Sequence, residues 1–520
     1  MNSIAEIFDN SKQLLDSIEN FFDKYIGRPL LRKCGVIKMV DDIFVNSGMT
    51  YFDNPISRLL GDLKQSPVLE KVVSAKDLLI DKLLVCFAPA SAYLMFKTDT
   101  FFRDYKQDTF YRFDKLPGAN WERLQLETAK NVILDIESQT TDKHINALIF
   151  DDSLYARTGG KGTELCARVF DHNDHKTRLG YRMMTGGWTN GETFIPFAQS
   201  LLSTRDEKQM VGPNVRIDCR TLRGKRRAMA KTKGTLVVQH MVKQAHKAGI
   251  LFDYVLFDTW FSSPSQLAAL KGIGTDVIAM IKKNSTKYIW RDPATGEEKK
   301  LNVKEIYSRN KKRRGRSRYL LSVDIIIPDS TGNAMKAKLV YVRNHSNRKD
   351  WVCFVCTDMT LDEEKILRAY TMRWKIETYF KMSKSYLKLR TECHSTSYDA
   401  ITSHMVIVAI RYMILAIERF QNTDNRSLEE LFYEVQRDII NEMMDCAIIL
   451  ILDIMLQSVK QHFKASDEQI NGLLCTFIGN LPTPWRERFT MPNVASSYFI
   501  FTIARLIISL HFDKSTRNVQ

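Results

Sequence analysis

The sequence predicts an α/β core interrupted by a β-rich insertion, with helical regions at either end. Two apolar runs, Ala147-Leu-Ile-Phe150 ahead of Asp151 and Asp152, and Tyr254-Val-Leu-Phe257 ahead of Asp258, have the look of buried strands that deliver acid to a sheet edge. Between them and a polar helix near residue 377, runs at 277–281, 319–327, 335–342 and 351–356 have strand character. Before residue 140 and after residue 359 the periodicity is helical.

Residues 1–140 read as a helical N-terminal region that binds DNA. Short amphipathic pieces are separated by the turn signals Gly27-Arg-Pro29, Asn54-Pro55 and Pro117-Gly118, with helices expected over 68–97 and 106–135. Lys106-Gln-Asp108-Thr-Phe-Tyr111-Arg112 resembles the start of a recognition helix, a polar cap followed by aromatic and basic side chains. A domain that only packs is the alternative.

Residues 141–270 form the first part of the core. After the strand ending at Asp152 and Ser153, Ala167–Phe170 and Leu179–Met184 read as strands, and Gly186-Gly-Trp-Thr-Asn-Gly191 as hairpin punctuation. Residues 196–250 read as mostly helical, with seven cations and no acid from Arg220 to Lys233. The strand ending at Asp258 leads through Ser263-Pro264 into a helix.

Residues 271–358 form the insertion. Pro328-Asp-Ser-Thr-Gly332 is a turn between two of its strands, and its tip carries Arg309, Lys311, Lys312, Arg313, Arg314, Arg316 and Arg318. Such a run is either a solvated loop or a phosphate-binding one; the charge of the whole chain favours phosphate. Residues 359–420 complete the core and 421–520 form a helical C-terminal region suited to packing or dimerisation.

The chain has a formal charge of +16 and a pI of about 9.3, which favours an anionic partner without separating nucleic acid from a membrane surface. The opening Met1-Asn-Ser-Ile-Ala-Glu leads into an acid-containing stretch unlike a secretory signal. The apolar segments 401–420, 446–456 and 498–512 are either broken by charge or too short for a bilayer, and read as core helices, with no membrane partner. Nine scattered cysteines fit a reducing compartment such as the cytoplasm.

The chemistry centres on Tyr370-Thr-Met-Arg373-Trp-Lys-Ile-Glu377-Thr-Tyr-Phe-Lys-Met-Ser-Lys384. On one continuous helix about 21 Å long, Tyr370, Arg373, Glu377 and Lys384 fall within an arc of roughly 60°. Met372, Ile376, Tyr379, Phe380 and Leu387 make an apolar face beside it, and Thr360 with Glu363 offers a capping box. Two aspartates at strand ends and a glutamate among cations supply three carboxylates from distant parts of the chain. Gathered together they would repel unless cations intervened, and oxygen-only ligation suits two Mg²⁺ or Mn²⁺ ions. Strand alternation does not decide between Asp151 and Asp152, since both faces are apolar.

Phe150-Asp-Asp152-Ser, Leu256-Phe-Asp258-Thr-Trp-Phe and Tyr370-x2-Arg373-x3-Glu377-x6-Lys384 resemble the D-D-E site and Y-R-E-K signature of bacterial cut-and-paste transposases of the insertion-sequence-four family, over about 105–415. The resemblance implies an RNase H-like core, metal-ligating and catalytic roles for Asp152, Asp258 and Glu377, and contacts from Tyr370, Arg373 and Lys384 to the DNA backbone. It also implies a homodimer bridging two double-stranded transposon ends and joining them to target DNA. Trp351, or less well Tyr307 or Trp290, is placed like the insertion tryptophan on which relatives stack a flipped base. Lys311, Lys312, Arg313 and Arg314 are expected to touch phosphate. The alternatives are a structure-selective endonuclease that cuts without joining, and a domesticated DNA-binding protein.

Overall fold

The computed structural model describes residues 75–483 except 99–100, 102–104, 141–143, 158–159, 172–173, 316, 329–333, 348 and 422–425. The predicted turns at 27–29 and 54–55, the start of the 68–97 helix, most of the 328–332 turn, Arg316 and the 498–512 segment lie outside these residues.

In chain order the first helices are α1 (Ala75–Leu84), α2 (Ala92–Lys97), α3 (Gln107–Phe113) and α4 (Trp121–Gln139). The strands β1 (Ala147–Ala156), β2 (Ala167–Asp171), β3 (Lys176–Thr189) and β4 (Phe194–Leu202) follow. Next come α5 (Leu222–Ala230), α6 (Gly234–Ala248), β5 (Tyr254–Phe257), α7 (Pro264–Gly272) and β6 (Asp276–Ile281). Then β7 (Lys287–Arg291), β8 (Glu298–Asn302), α8 (Val303–Arg309), β9 (Leu321–Pro328), β10 (Ala334–Arg343) and β11 (Trp351–Cys356) precede α9 (Glu363–Thr371), α10 (Lys375–Ser385) and α11 (Tyr398–Gln421). The helices α12 (Leu428–Phe463) and α13 (Asp467–Gly479) end the described chain.

The chain divides into two compact units, one holding α1–α3 with α12 and α13, the other holding 114–424. In the first, Val85, Ala88, Ala92, Met95 and Phe110 form a core on which Phe96, Phe101, Tyr105 and Tyr111 pack. The helix expected to read DNA, α3, has seven residues, about 10 Å of helix. It turns Phe110 and Phe113 inward and pairs Arg112 with Asp108 at 3.3 Å.

The second unit is built on one mixed sheet with strand order β2-β3-β1-β5-β6-β11-β10-β9-β7-β8, and β4 also pairs with β3. The long β3 takes β2 along its first half and β4 along its second, and runs antiparallel to β1. Parallel pairing then carries the sheet from β1 to β5 and β6. From β6 onward it continues antiparallel through β11, β10 and β9.

Residues 196–202, expected to be helical, belong to strand β4. Helix begins only at Leu222, because Phe194, Ile195, Phe197, Leu201 and Leu202 bury β4 against β3, its pairing partner. Gly186-Gly187 is not a turn either. These glycines lie inside β3, where an added Cβ would meet the Phe150 ring at 2.6 Å and the Phe194 ring within 2.0 Å, so the aromatic rings occupy the space the glycines leave. The turn falls at Asn190-Gly191, where Gly191 has φ +94°. The strands β7 and β8 and the helix α8, closed by an Asn302/Glu305 capping box, add to the four insertion strands read from sequence.

Helix α11 is long and apolar enough to cross a membrane, but its apolar window is wholly buried and it is a core helix, as expected for 401–420. Near the 370s the single predicted helix is broken: α9 ends at Thr371, a 3₁₀ turn spans Met372–Trp374, and α10 starts at Lys375. The cap of α9 is Asp362, whose carboxylate accepts from the Lys365 amide at 2.8 Å; Thr360 instead bonds Asp358.

Candidate active site

The parallel register of β1 and β5 sets the site. Phe150 lies level with Phe257, so one step further along each strand brings Asp151 level with Asp258. Alternation then sends Asp151 and Ser153 to one face of the sheet and Asp152 to the other. On the first face α10 reaches β1 through Lys384, whose ammonium contacts the Ser153 hydroxyl. On the second, Asp152 receives Arg182 of β3 through two bonds of 2.7 Å.

Arg373, in the 3₁₀ turn, joins the first aspartate to the glutamate. Its Nη1 lies 3.2 Å from Asp151 Oδ2 and its Nη2 2.6 Å from Glu377 Oε1. Burial pushes the Asp151 carboxyl up to about 7, the neighbouring Asp258 adds to the rise, and Arg373 only partly opposes it. Asp258 is also raised, first by burial and further by the nearby Asp152, with the Trp260 amide, Arg373 and Lys282 opposing. Its Oδ1 accepts the Trp260 amide at 2.8 Å. Lys384 is lowered to about 8 by burial and by Arg390.

Among the described residues no three His, Cys, Asp or Glu side chains stand close enough to form a ready-made ion cage. The expected cluster of Asp152, Asp258 and Glu377 is therefore not assembled among them: Asp152 pairs with Arg182, and Arg373 links Asp151 to Glu377.

Of the other expected contacts, Tyr370 is a correction. It lies on α9, only 6% exposed, against Phe354, with its hydroxyl buried beside Arg373 and not turned out toward solvent as the helical stripe predicts. Trp351 is half-buried, with Tyr307 stacked on it at 4.8 Å, Tyr341 edge-on and the Lys283 ammonium 4.4 Å over its ring. The ring expected to be open for a base is thus engaged by the insertion's own aromatics. Trp290 is buried.

Lys311, Arg313 and Arg314 face solvent in the loop after α8, with Lys312 half-buried over Tyr307. Replacing Lys311, Lys312, Arg313 and Arg314 together by alanine is expected to flatten the log–log salt dependence of DNA binding by up to about 3.6, roughly 0.9 per lost phosphate contact. A salt titration with unchanged slope would remove this loop from the interface.

Sequence reading passed over Arg182, Lys282 and Trp260, and it favoured Asp152 over Asp151. The pairing register, which no single strand carries, sets Asp151 level with Asp258.

Two family models match parts of the chain. Residues 79–316 match the family described as DDE superfamily endonuclease, and residues 229–414 match the Transposase DDE domain. No curated protein matches the chain significantly. The two overlapping matches together take in Asp151, Asp152, Asp258 and Glu377, and they support a DDE-superfamily transposase or endonuclease, an enzyme class that acts on DNA and typically uses divalent metal ions.

Proposed function

We propose that the chain is a cut-and-paste DNA transposase of the insertion-sequence-four type, in which Asp151, Asp258 and Glu377 carry metal-dependent phosphoryl transfer. The observation that carries it is the Asp151–Arg373–Glu377 bridge beside Asp258. The strand order β4-β3-β1-β5-β6, antiparallel and then parallel, supports an RNase H-like core, and β7–β11 support an insertion before the glutamate helix.

The donor set fits hard cations: it is all oxygen, and burial holds the protons of Asp151 and Asp258 above their ordinary range, with neighbouring carboxylates adding to the rise. Asp151 and Asp258 would hold the ions, with Glu377 joining once Arg373 lets it go. When bound, Mg²⁺ or Mn²⁺ activates an attacking oxygen and stabilises a leaving one. The chain's own part is positional. Arg373 neutralises Asp151 and Glu377 and is then free to face phosphate, and Lys384 adds charge on the same side. Hydrolysis frees 3′-hydroxyl ends that attack target DNA, within a dimer bridging two ends.

Purified protein with Mg²⁺ and labelled DNA carrying the inverted repeats that flank its gene should nick the ends and join them to a target. Cutting without joining would favour the second reading, a DDE endonuclease, which the match over 79–316 also supports. Neither cutting nor joining on end-containing DNA would sink both.

The raised Asp151 makes a separate prediction about the metal-free protein. A carboxyl whose folded value lies above its unfolded value costs stability once ionised, so stability falls as pH rises from near 4 through about 7. Between pH 5 and 8 the wild type should lose on the order of 3 kcal/mol from this group, and Asp151→Asn should escape that loss. Parallel denaturant curves for the two proteins would contradict the burial of this charge.

A further inference from the structure

Arg373 holds oxygens of two carboxylates that the proposed chemistry needs. Its side chain is 11% exposed, and its fork takes up Asp151 Oδ2 at 3.2 Å and Glu377 Oε1 at 2.6 Å. It sits in the 3₁₀ turn Met372–Trp374, between α9, which buries the Tyr370 hydroxyl beside it, and α10, which carries Glu377. Together with the Lys384–Ser153 contact, the bridge ties α10 to β1 on the face that Asp151 shares with Ser153. A guanidinium this enclosed does not give up two carboxylates to water alone, because withdrawing it would leave buried charges with part of their pairing lost. A second anion has to receive it. A phosphodiester, whose two free oxygens accept parallel N–H bonds, is the group its fork matches.

We propose that Arg373 is a latch that keeps the candidate centre closed to divalent cations until a DNA phosphodiester draws its guanidinium off Asp151 and Glu377. This rests on the reading of the site as one that acts on DNA, and it adds an order of events. In the free protein the latch occupies one oxygen of each acid. With DNA in place those oxygens are released. DNA and cation are therefore coupled ligands, each tightening the other by the same factor. A centre closed in this way stays inert until its substrate arrives.

The test reads Mn²⁺ binding to the full chain from the paramagnetic resonance signal of the unbound ion. It is run under argon at a pH of about 8.5, above the raised Asp151 carboxyl, so that protons do not compete. Each protein is titrated with and without a duplex carrying the inverted repeat that flanks its gene, and ions bound by the duplex alone are subtracted. Wild type should bind Mn²⁺ about 10- to 100-fold more tightly with the duplex than without it. Without DNA, Arg373→Gln should bind Mn²⁺ about tenfold more tightly than wild type, and its gain from the duplex should shrink by the same factor. Arg373→Lys keeps the charge but cannot span both acids, so it should fall between the two. A folded Arg373→Gln protein whose DNA-free Mn²⁺ affinity is unchanged or weaker overturns the latch. So does an Arg373→Lys protein that binds no more tightly than wild type, which would make local charge and not the bridge the barrier. Cleavage of the duplex with Mg²⁺ is scored separately. Tighter DNA-free Mn²⁺ binding by Arg373→Gln alongside an inert wild type keeps the latch and removes the transposase reading; active wild-type cleavage with no tightening in Arg373→Gln does the reverse.

Discussion

Asp151→Asn should reduce Mg²⁺-dependent cleavage by about 10³-fold or more, while Asp152→Asn should leave it within about tenfold of wild type. The two aspartates are adjacent in sequence, yet the pleat separates their work. Asp151 faces Asp258 and the Arg373–Glu377 pair, and its carboxyl, raised to about 7, is poised to exchange a proton for a cation. Asparagine keeps the shape and removes the charge, so the loss reports ligation and transition-state charge, not packing. Asp152 is held by Arg182 on the opposite face, and its loss frees an arginine that is itself 41% exposed along its side chain. End-cleavage rates for both variants, alongside their thermal stability, decide the matter. Equal collapse of both, or survival of Asp151→Asn, would return the role to Asp152.

That pair shows where the sequence was legible. Ala147-Leu-Ile-Phe150 and Tyr254-Val-Leu-Phe257 announced two buried strands because a strand covered on both faces has to be apolar throughout, and both are fully buried. Which aspartate follows the strand onto the working face depends on pairing with a second strand more than a hundred residues away, and neither propensity nor alternation encodes it. The stripe on the 370s helix was read on the assumption of one regular period. The 3₁₀ turn at Met372–Trp374 breaks it: Ile376, Tyr379, Phe380 and Leu387 are buried as expected, but Tyr370 turns inward with them and Arg373 swings to bridge two acids. The Gly186-Gly187 pair was misread for a related reason. Glycine signals a turn by conformational freedom, yet here it marks the places where Phe150 and Phe194 need room.

The basic run after Arg220 carries the other large expected effect, on stability. Asp399→Ala should destabilise the second unit by about 3–5 kcal/mol, since three of the run's arginines point at Asp399 and two of them are buried with it. Asp399 takes Arg223 at 2.7 Å, Arg226 at 2.5 Å and Arg227 at 2.8 Å. Arg226 goes on to Glu122 on α4, and Arg227 to Glu164. The network thereby ties α4, α5 and the start of α11 together, and these arginines are structural cations, not part of a surface for phosphate. Burial alone would raise the Asp399 carboxyl, but Arg227 and Arg226 hold it down to about 2. A depressed acid stabilises the fold above its unfolded value near 4, and that contribution is lost only as pH falls toward 2. Removing the carboxylate leaves Arg226 and Arg227 buried with part of their charge uncompensated, whereas replacing Arg226 by methionine together with Asp399 by asparagine removes charge from both sides and should recover part of the loss. Urea unfolding of the single and double variants at pH 7 measures it. A single variant within about 1 kcal/mol of wild type would mean that water reaches the arginines and that α5 does not depend on this network for its place.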